Sequence, residues 1–420
     1  MSKPPLAQAV ACATLGASLT LPSLAQAEFI KDSKASLEAR NFYFNRDFRQ
    51  AGASQAKREE WAQGFILRMD SGYTEGTLGF GLDAIGMLGF KLDSGDGTAG
   101  TDLLVPDRSG GSQDYSSDLA VAAKAKLSKT TLRVGSMQFK NMAIASSDSR
   151  LTPQVFKGGQ LISQEIDGLT LDGGYVREVN NRNSSDFEDL SMTSGGKRGI
   201  SITGGNKTDS FQFLGGNYKL TQDLTAGYYY SNLEDLYKQN SFNLVHVLPL
   251  GEGQSLKADL RYARSTDDGR SNVDNKALGA MLTYGLAGHS LGLGYQKMSG
   301  DTGFAYLATS TDPFLVNYVQ ISDFANKDET SWQARYDFNF ASIGVPGLTF
   351  MTRYLSGDNV DLGAAGDGKE WERDTELMYV FQQGALKNLG VRWRNAMVRS
   401  NFTNDIDENR LILSYTLPLL

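Results

Sequence analysis

In segment after segment of this chain, apolar and polar side chains alternate one by one, and helical spacing is almost absent. Successive residues of an extended strand point to opposite faces, so each such segment has an oily side and a polar side. In EWAQGFILRMD, Trp61, Phe65, Leu67 and Met69 oppose Ala62, Gly64, Ile66, Arg68 and Asp70. DLAVAAKAKL sets Leu119, Val121, Ala123 and Ala125 against Lys124 and Lys126, and SLKADLRYA sets Leu256, Ala258, Leu260 and Tyr262 against Lys257, Asp259 and Arg261. In SWQARYDFNF, Trp332, Ala334, Tyr336, Phe338 and Phe340 oppose Gln333, Arg335, Asp337 and Asn339. NLGVRWRNAMVRSNF is the extreme case, with Val391 and Trp393 on one face and Arg392 and Arg394 on the other. Neither of its faces suits an ordinary protein core.

A secreted β-sandwich also alternates, but nothing orders the lengths of its connections. Here short and long connections follow each other: short 249–254, longer 265–272, short 286–289, long 300–327, short 342–347, longer 356–369, short 382–387 and longer 399–407. Short turns at one rim and long loops at the other describe an outer-membrane barrel, whose strand number in bacteria is even. The strand cores are 34–44, 59–71, 75–90, 116–127, 130–138, 159–166, 169–180, 209–218, 222–232, 239–249, 254–265, 274–285, 288–299, 328–341, 346–357, 371–382, 387–398 and 408–419, which makes eighteen. Counting 198–204 in place of 159–166 would put the long stretch 181–197 at the short-turn rim. The hairpin pair Asp167-Gly168 favours the first version, with 181–208 as a long external loop. The expected fold is therefore all-β, a transmembrane antiparallel barrel of about 18 strands closed by the amphipathic end RLILSYTLPLL.

The 420 residues would ordinarily suggest two or three soluble domains. Against that stand 46 Gly, 18 Tyr and 21 Phe with only 9 Pro. Beyond residue 27 no stretch approaches the ~18 apolar residues that a spanning helix needs. Residues 1–27, with Lys3, an Ala/Leu-rich middle and Ala25-Gln26-Ala27, read as a cleaved signal peptide, leaving 28–420 as one outer-membrane domain. The single cysteine, Cys12, falls in that leader, so the mature chain has no thiol for a disulfide or a cysteine metal site. No metal or cofactor is expected. The formal charge of −7 becomes −8 without Lys3, 40 basic residues against 48 acidic, which does not suggest a nucleic-acid partner.

On the lipid face of such a barrel an arginine at the membrane midplane costs ~2–4 kcal/mol, so Arg392 and Arg394 belong in the lumen. By the same parity Arg335, Arg353 and Arg410 point inward. All five lie in the last five strand cores, on one side of the pore. Guanidinium groups stay charged and grip carboxylates bidentately, and a line of them eases an anion through a narrow pore without trapping it at one site. The bland alternative is that they pair with acidic residues across the barrel. The polar stretch 139–158 is long enough to fold into the pore and bring Asp148 and Arg150 to its narrowest part; otherwise it is an external flap.

These residues resemble the OprD-type substrate-specific outer-membrane channels, also called outer-membrane carboxylate channels. The resemblance rests on FYFNRDFR (42–49), VGSMQFKNMAIASSDSRLTPQ (134–154), SWQARYDFNFASIGVPGLTFMTRYLSGD (331–358) and KEWERDTELMYVFQQGALKNLGVRWRNA (369–396). It implies an eighteen-stranded barrel with one pore per chain, inward-folded loops and a basic ladder for small carboxylate-bearing solutes. Carried over, the ladder and its loop arginine are similar to Arg49, Arg150, Lys369, Arg392, Arg394 and Arg410. In DTGFAYLA (301–308), Ala305 stands where members favouring basic amino acids carry an acid, which resembles the branch that takes monocarboxylates, aromatic acids included. The expected surroundings are bacterial outer-membrane lipid and lipopolysaccharide, with a weak trimer left open.

Other functions fit less well. A barrel hydrolase needs a histidine constellation, but His246 shares a face with Leu244 and Leu248, and His289 sits beside Ser290, which points away from it. A plugged transporter needs a globular plug of roughly a hundred residues before the barrel, and more strands. A general diffusion porin and a basic-amino-acid channel of the same family remain as alternatives.

Overall fold

The computed structural model describes residues 31–420 except 51 and 308–310; the leader expected over 1–27 lies outside the described residues. The strands are β1 Lys34–Phe48, β2 Lys57–Asp70, β3 Leu78–Asp93, β4 Tyr115–Leu127, β5 Thr130–Met137, β6 Val155–Ser163, β7 Leu169–Asn180, β8 Glu188–Asp189, β9 Phe211–Lys219, β10 Leu224–Leu233, β11 Tyr237–Gly251, β12 Gln254–Asp267, β13 Asp274–Leu286, β14 His289–Ser299, β15 Thr330–Asn339, β16 Leu348–Asp361, β17 Asp367–Val380, β18 Gly390–Ser400 and β19 Ile406–Pro418. Eighteen of them form the wall, each antiparallel to its neighbours in chain order; β8 is a two-residue addition to the outer end of β7. β19 closes the cylinder on β1 in continuous register from Ser36↔Pro418 to Phe48↔Ile406. With no free edge, every strand's backbone groups are bonded within the wall, as hydrocarbon requires.

The sixth strand runs over 155–163 rather than 159–166, because the last four residues of the expected loop 139–158 already pair with β7. At the long-loop rim the strands also reach further than alternation suggested. β16 and β17 leave only 362–366 as a loop where 356–369 was expected, and β18 and β19 leave 401–405 where 399–407 was expected. The cause is ladder pairing that continues above the apolar band, where polar residues fill both faces and alternation carries no signal.

Exposure follows the predicted parity. Leu67, Leu119, Leu260, Trp332, Trp393 and Leu411 turn out of the cylinder, whereas Ala62, Ile66, Asp259, Gln333 and Arg410 turn in and are buried. Three long connections fold into the lumen: 94–114, 138–154 and the described residues of 300–329. Wall glycines give them seats. A Cβ on Gly64 or Gly89 would meet Leu151 of the 138–154 loop at 3.0–3.1 Å, and one on Gly279 would meet the Val316 side chain at 2.7 Å. The 181–208 segment, expected to be external, also drops Arg182 onto these loops, where it donates to Ser149 Oγ at 2.9 Å and pairs with Asp102 at 3.1 Å.

Candidate functional site

The site is built from one face of neighbouring strands. On β18, Arg392 and Arg394 face the lumen, and Arg394 lies level with Arg410 of β19, which in turn lies level with Phe44 of β1. On β1 the same face carries Arg40, Phe42, Phe44 and Arg46, and on β15 and β16 Arg335 and Arg353 stand opposite each other. The 138–154 loop closes the ring from the other side with Asp148 and Arg150.

Three cavities run through this assembly. The outer one, about 380 Å³, is lined by Arg46, Arg150, Arg182, Arg394 and Arg410 on one side and by Tyr306, Asp312, Tyr318 and Asp323 of the 300–329 loop on the other. A second, about 320 Å³, lies toward the short-turn rim between Arg40, Asp148, Arg150, Arg392 and Arg394. The third, about 450 Å³, holds Arg335, Asp337, Arg353, Glu376 and Arg394. Arg394 lines all three, so the channel passes it whichever side a solute takes.

Each wall arginine has a carboxylate, Arg40 a private one in Glu38 at 2.8 Å, but three of the carboxylates serve two arginines each. Glu376 sits 3.1 Å from Arg394 and 3.5 Å from Arg392. Glu408 serves Arg410 at 2.6 Å and Arg46 at 2.5 Å, and Asp148 serves Arg40 at 2.8 Å and Arg68 at 3.0 Å. Arg353 has Asp374 and Arg335 has Asp337, both at 2.7 Å. The Arg394 Nε forms no hydrogen bond despite its 3.1 Å approach to Glu376, so that contact is electrostatic. Arg150 has no carboxylate among the described residues. It is held by the Thr101 carbonyl at 2.9 Å, by the Ser149 carbonyl at 3.1 Å and by the Phe44 ring. The Phe44 ring takes three guanidinium groups, Arg410 at 4.9 Å, Arg150 at 5.1 Å and Arg46 at 5.5 Å. An aromatic face attracts cations without neutralising them, so the strip keeps a positive excess.

The inward loops are pinned by buried acids. Thr101 N–H donates to Glu60 at 3.0 Å; Ile321 and Ser322 N–H donate to Glu372 at 2.9 and 2.7 Å; Gln320 donates to Glu408 at 2.9 Å. The carboxylates on the lumenal face of β17 thus serve the loops as much as the arginines.

Of the residues singled out in the sequence, Asp148, Arg150, Arg335, Arg353, Arg392, Arg394 and Arg410 are brought together here. Lys369 is not. It shares the outward face of β17 with Trp371 and Arg373, because Glu370, Glu372 and Asp374 hold the inward parity and are buried. Arg49 stands just past the end of β1 at the long-loop rim, more than half exposed and 3.4 Å from Asp407, above the cavities. Ala305 is fully buried in the apolar cluster beneath the loops, and its neighbour Tyr306 is the residue that faces the outer cavity. Arg40, Arg46, Arg68 and Arg182 were missed. His246 lies exposed on the outward face, and His289 stacks on Phe338 at 4.4 Å and bonds Tyr336 at 2.8 Å, an interfacial aromatic cluster.

The sequence profile of a family described as outer membrane porin, OprD family, matches residues 27–419. The chain belongs to the OprD family. Solved structures similar to this OprD-family channel include OpdQ of Pseudomonas aeruginosa, at 61% identity and TM-score 0.88, covering 94% of this chain and 100% of that one. A BenF-like porin from Pseudomonas fluorescens Pf-5 is 41% identical with TM-score 0.89, over 93% of this chain and 100% of that one. Among curated relatives, the porin-like protein GalP of Pseudomonas putida is 40% identical over 97% of both chains. Porin D of Pseudomonas aeruginosa is 38% identical over 93% of this chain and 92% of its own. This OprD-family protein is an outer-membrane channel and not an enzyme.

Proposed function

We propose that this channel passes small carboxylate-bearing solutes, monocarboxylates and aromatic acids among them, along Arg46, Arg410, Arg150, Arg394 and Arg392 toward the short-turn rim. The reading rests on the sharing of carboxylates. One Glu376 for Arg392 and Arg394, one Glu408 for Arg46 and Arg410, and none for Arg150 leave the narrow part positive although the chain as a whole is acidic. An entering carboxylate completes pairs that the wall leaves half-made, at several successive places, which favours entry without capture. Tyr306 and Tyr318 in the outer cavity offer flat apolar surface beside the guanidinium groups, suited to an aromatic acid.

The test is uptake into liposomes of benzoate, a small aliphatic monocarboxylate and their uncharged amides, by the wild type and by an Arg392→Gln/Arg394→Gln variant. Carboxylate uptake should fall while amide and neutral-sugar uptake holds. Equal loss for all solutes would refute the ladder.

A further inference from the structure

Outside the lumen, the faces of β11 to β14 carry cations near their long-loop ends: Lys238, Arg264, Lys276 and Lys297. Their outward direction follows from the residues that share their faces. Phe242, Tyr262, Leu278 and Tyr295 are exposed, while Gln239, Ala263, Ala277 and Gln296 behind them are buried in the barrel. In the ladder Arg264 stands directly opposite Lys276, and Lys297 lies opposite Leu278, diagonal to Lys276. Directly opposite side chains on one sheet face start about 5 Å apart and diagonal ones about 7–8 Å, which puts the two lysine heads within reach of one small anion, beside an Arg264 guanidinium that Asp274 and the Ser265 and Asn275 carbonyls hold in place.

Asp274 pairs with Arg264 and Asp268 with Lys238, whereas Lys276 and Lys297 have no acidic partner among the described residues. This differs from Lys157 and Arg177 at the same rim, which pair with Glu178 and Asp209 at 2.8 and 3.0 Å. Immediately below the lysines runs a line of rings, Tyr228, Phe242 and Tyr262, with centroids 4.9 and 6.2 Å apart, and Tyr295 continues it on β14. Aromatic rings on the outer wall of a barrel mark the membrane interface. The lysines therefore sit at headgroup level in the leaflet that the long loops face, with acyl-chain surface provided by Leu260, Leu278, Leu282 and Leu293 beneath.

We infer that Lys276 and Lys297, with Arg264, form a binding site for a phosphate group of the phosphorylated saccharolipid of the outer leaflet. The ligand's chemistry matches on both counts, since an anionic headgroup meets unpaired ammonium groups and acyl chains meet the leucine wall below. Near an anionic lipid surface each lysine contributes roughly fivefold in affinity, so the two together should contribute on the order of thirtyfold.

The test uses the purified full-length channel in neutral detergent, titrated with bisphosphoryl lipid A, with the same lipid stripped of phosphate, and with inorganic phosphate, read by native mass spectrometry. Bisphosphoryl lipid A should bind the wild type, and roughly thirtyfold more weakly the Lys276→Gln/Lys297→Gln variant. A Lys129→Gln control at the opposite rim should match the wild type. Unchanged single-channel conductance of the double variant shows that it is folded. Equal binding to wild type and double variant, equal binding of the phosphate-free lipid, or displacement of the lipid by millimolar inorganic phosphate would overturn the site. None of these outcomes depends on which solute crosses the pore.

Discussion

The two halves of the barrel use their inward faces in opposite ways. From β4 to β11 much of the lumenal face is an apolar bed, interrupted by the buried Lys124, Gln160 and Asp172, with Ala122, Met137, Phe156, Val176, Phe211, Phe213, Tyr229 and Tyr237 buried against Phe139, Met142 and Ile144 of the 138–154 loop. From β15 round to β1 it carries guanidinium groups lining open cavities. One half is a floor on which a loop is glued, and the other is the path that the loop leaves open. A barrel this wide becomes narrow by filling one side with ordinary hydrophobic packing, which lets the remaining side specialise in charge.

The largest expected effect comes from breaking the glued half. Phe139 is 2% exposed and meets Phe156 and Phe213 edge-on with centroids 6.1 and 6.0 Å away. Phe139→Ala should cost about 3–5 kcal/mol of stability. It should also raise single-channel conductance while weakening anion preference, because a loosened loop withdraws Arg150 from the path. A thermal melt and a conductance trace on the same preparation check both.

On the cationic half, Arg394→Gln should reduce carboxylate flux by about tenfold, in line with the 1–4 kcal/mol of a close charge pair at a water-lined surface, with little change for neutral solutes. Glu376→Gln should act in the opposite direction. Freeing Arg392 and Arg394 of their shared partner should raise apparent affinity for benzoate by roughly threefold, and added salt should erase most of that gain. Blockade of ionic current by benzoate at low and high ionic strength measures it.

The smallest effect concerns pH. Burial raises the Asp312 carboxyl above its ordinary range, with hydrogen bonds from Tyr318 and Ser147 working against the rise. Asp312 therefore takes up its proton at a higher pH than a free aspartate, and the outer cavity loses a negative charge as pH falls through that value. Carboxylate entry should then rise by about twofold at most, and Asp312→Asn should remove the pH step.

How far the sequence could be read follows the same division. Strands with lipid on one side and water on the other, such as β15 and β18, alternate cleanly, and their inward arginines follow from parity alone. β1 does not alternate in that way. Its inward face holds Arg40, Phe42, Phe44 and Arg46, and its outward face holds Tyr43, so aromatic residues appear on both sides and the two arginines were hidden. Phe42 and Phe44 are apolar and inward because Leu103, Leu104 and Leu151 of two loops cover them. The usable signal was the shared parity of Arg40 and Arg46, flanking the two phenylalanines. Lys369 is the reverse case: the family resemblance points to it, while the inward parity of its neighbour Glu370 turns it outward. The sharing of Glu376 and Glu408 could not be read at all, because it depends on register between strands. The 300–329 loop reaches the wall through backbone N–H groups bonded to Glu372, a contact with no side-chain signature in the loop itself.

The positive excess at the narrow part is the quantity everything else depends on, and the reversal potential across a planar bilayer under a tenfold gradient of sodium benzoate measures it most directly. The wild type should favour benzoate over sodium, and an Arg150→Gln/Arg394→Gln variant should lose most of that preference while still conducting. A wild type that favours sodium, or a variant whose reversal potential does not move, would contradict the account.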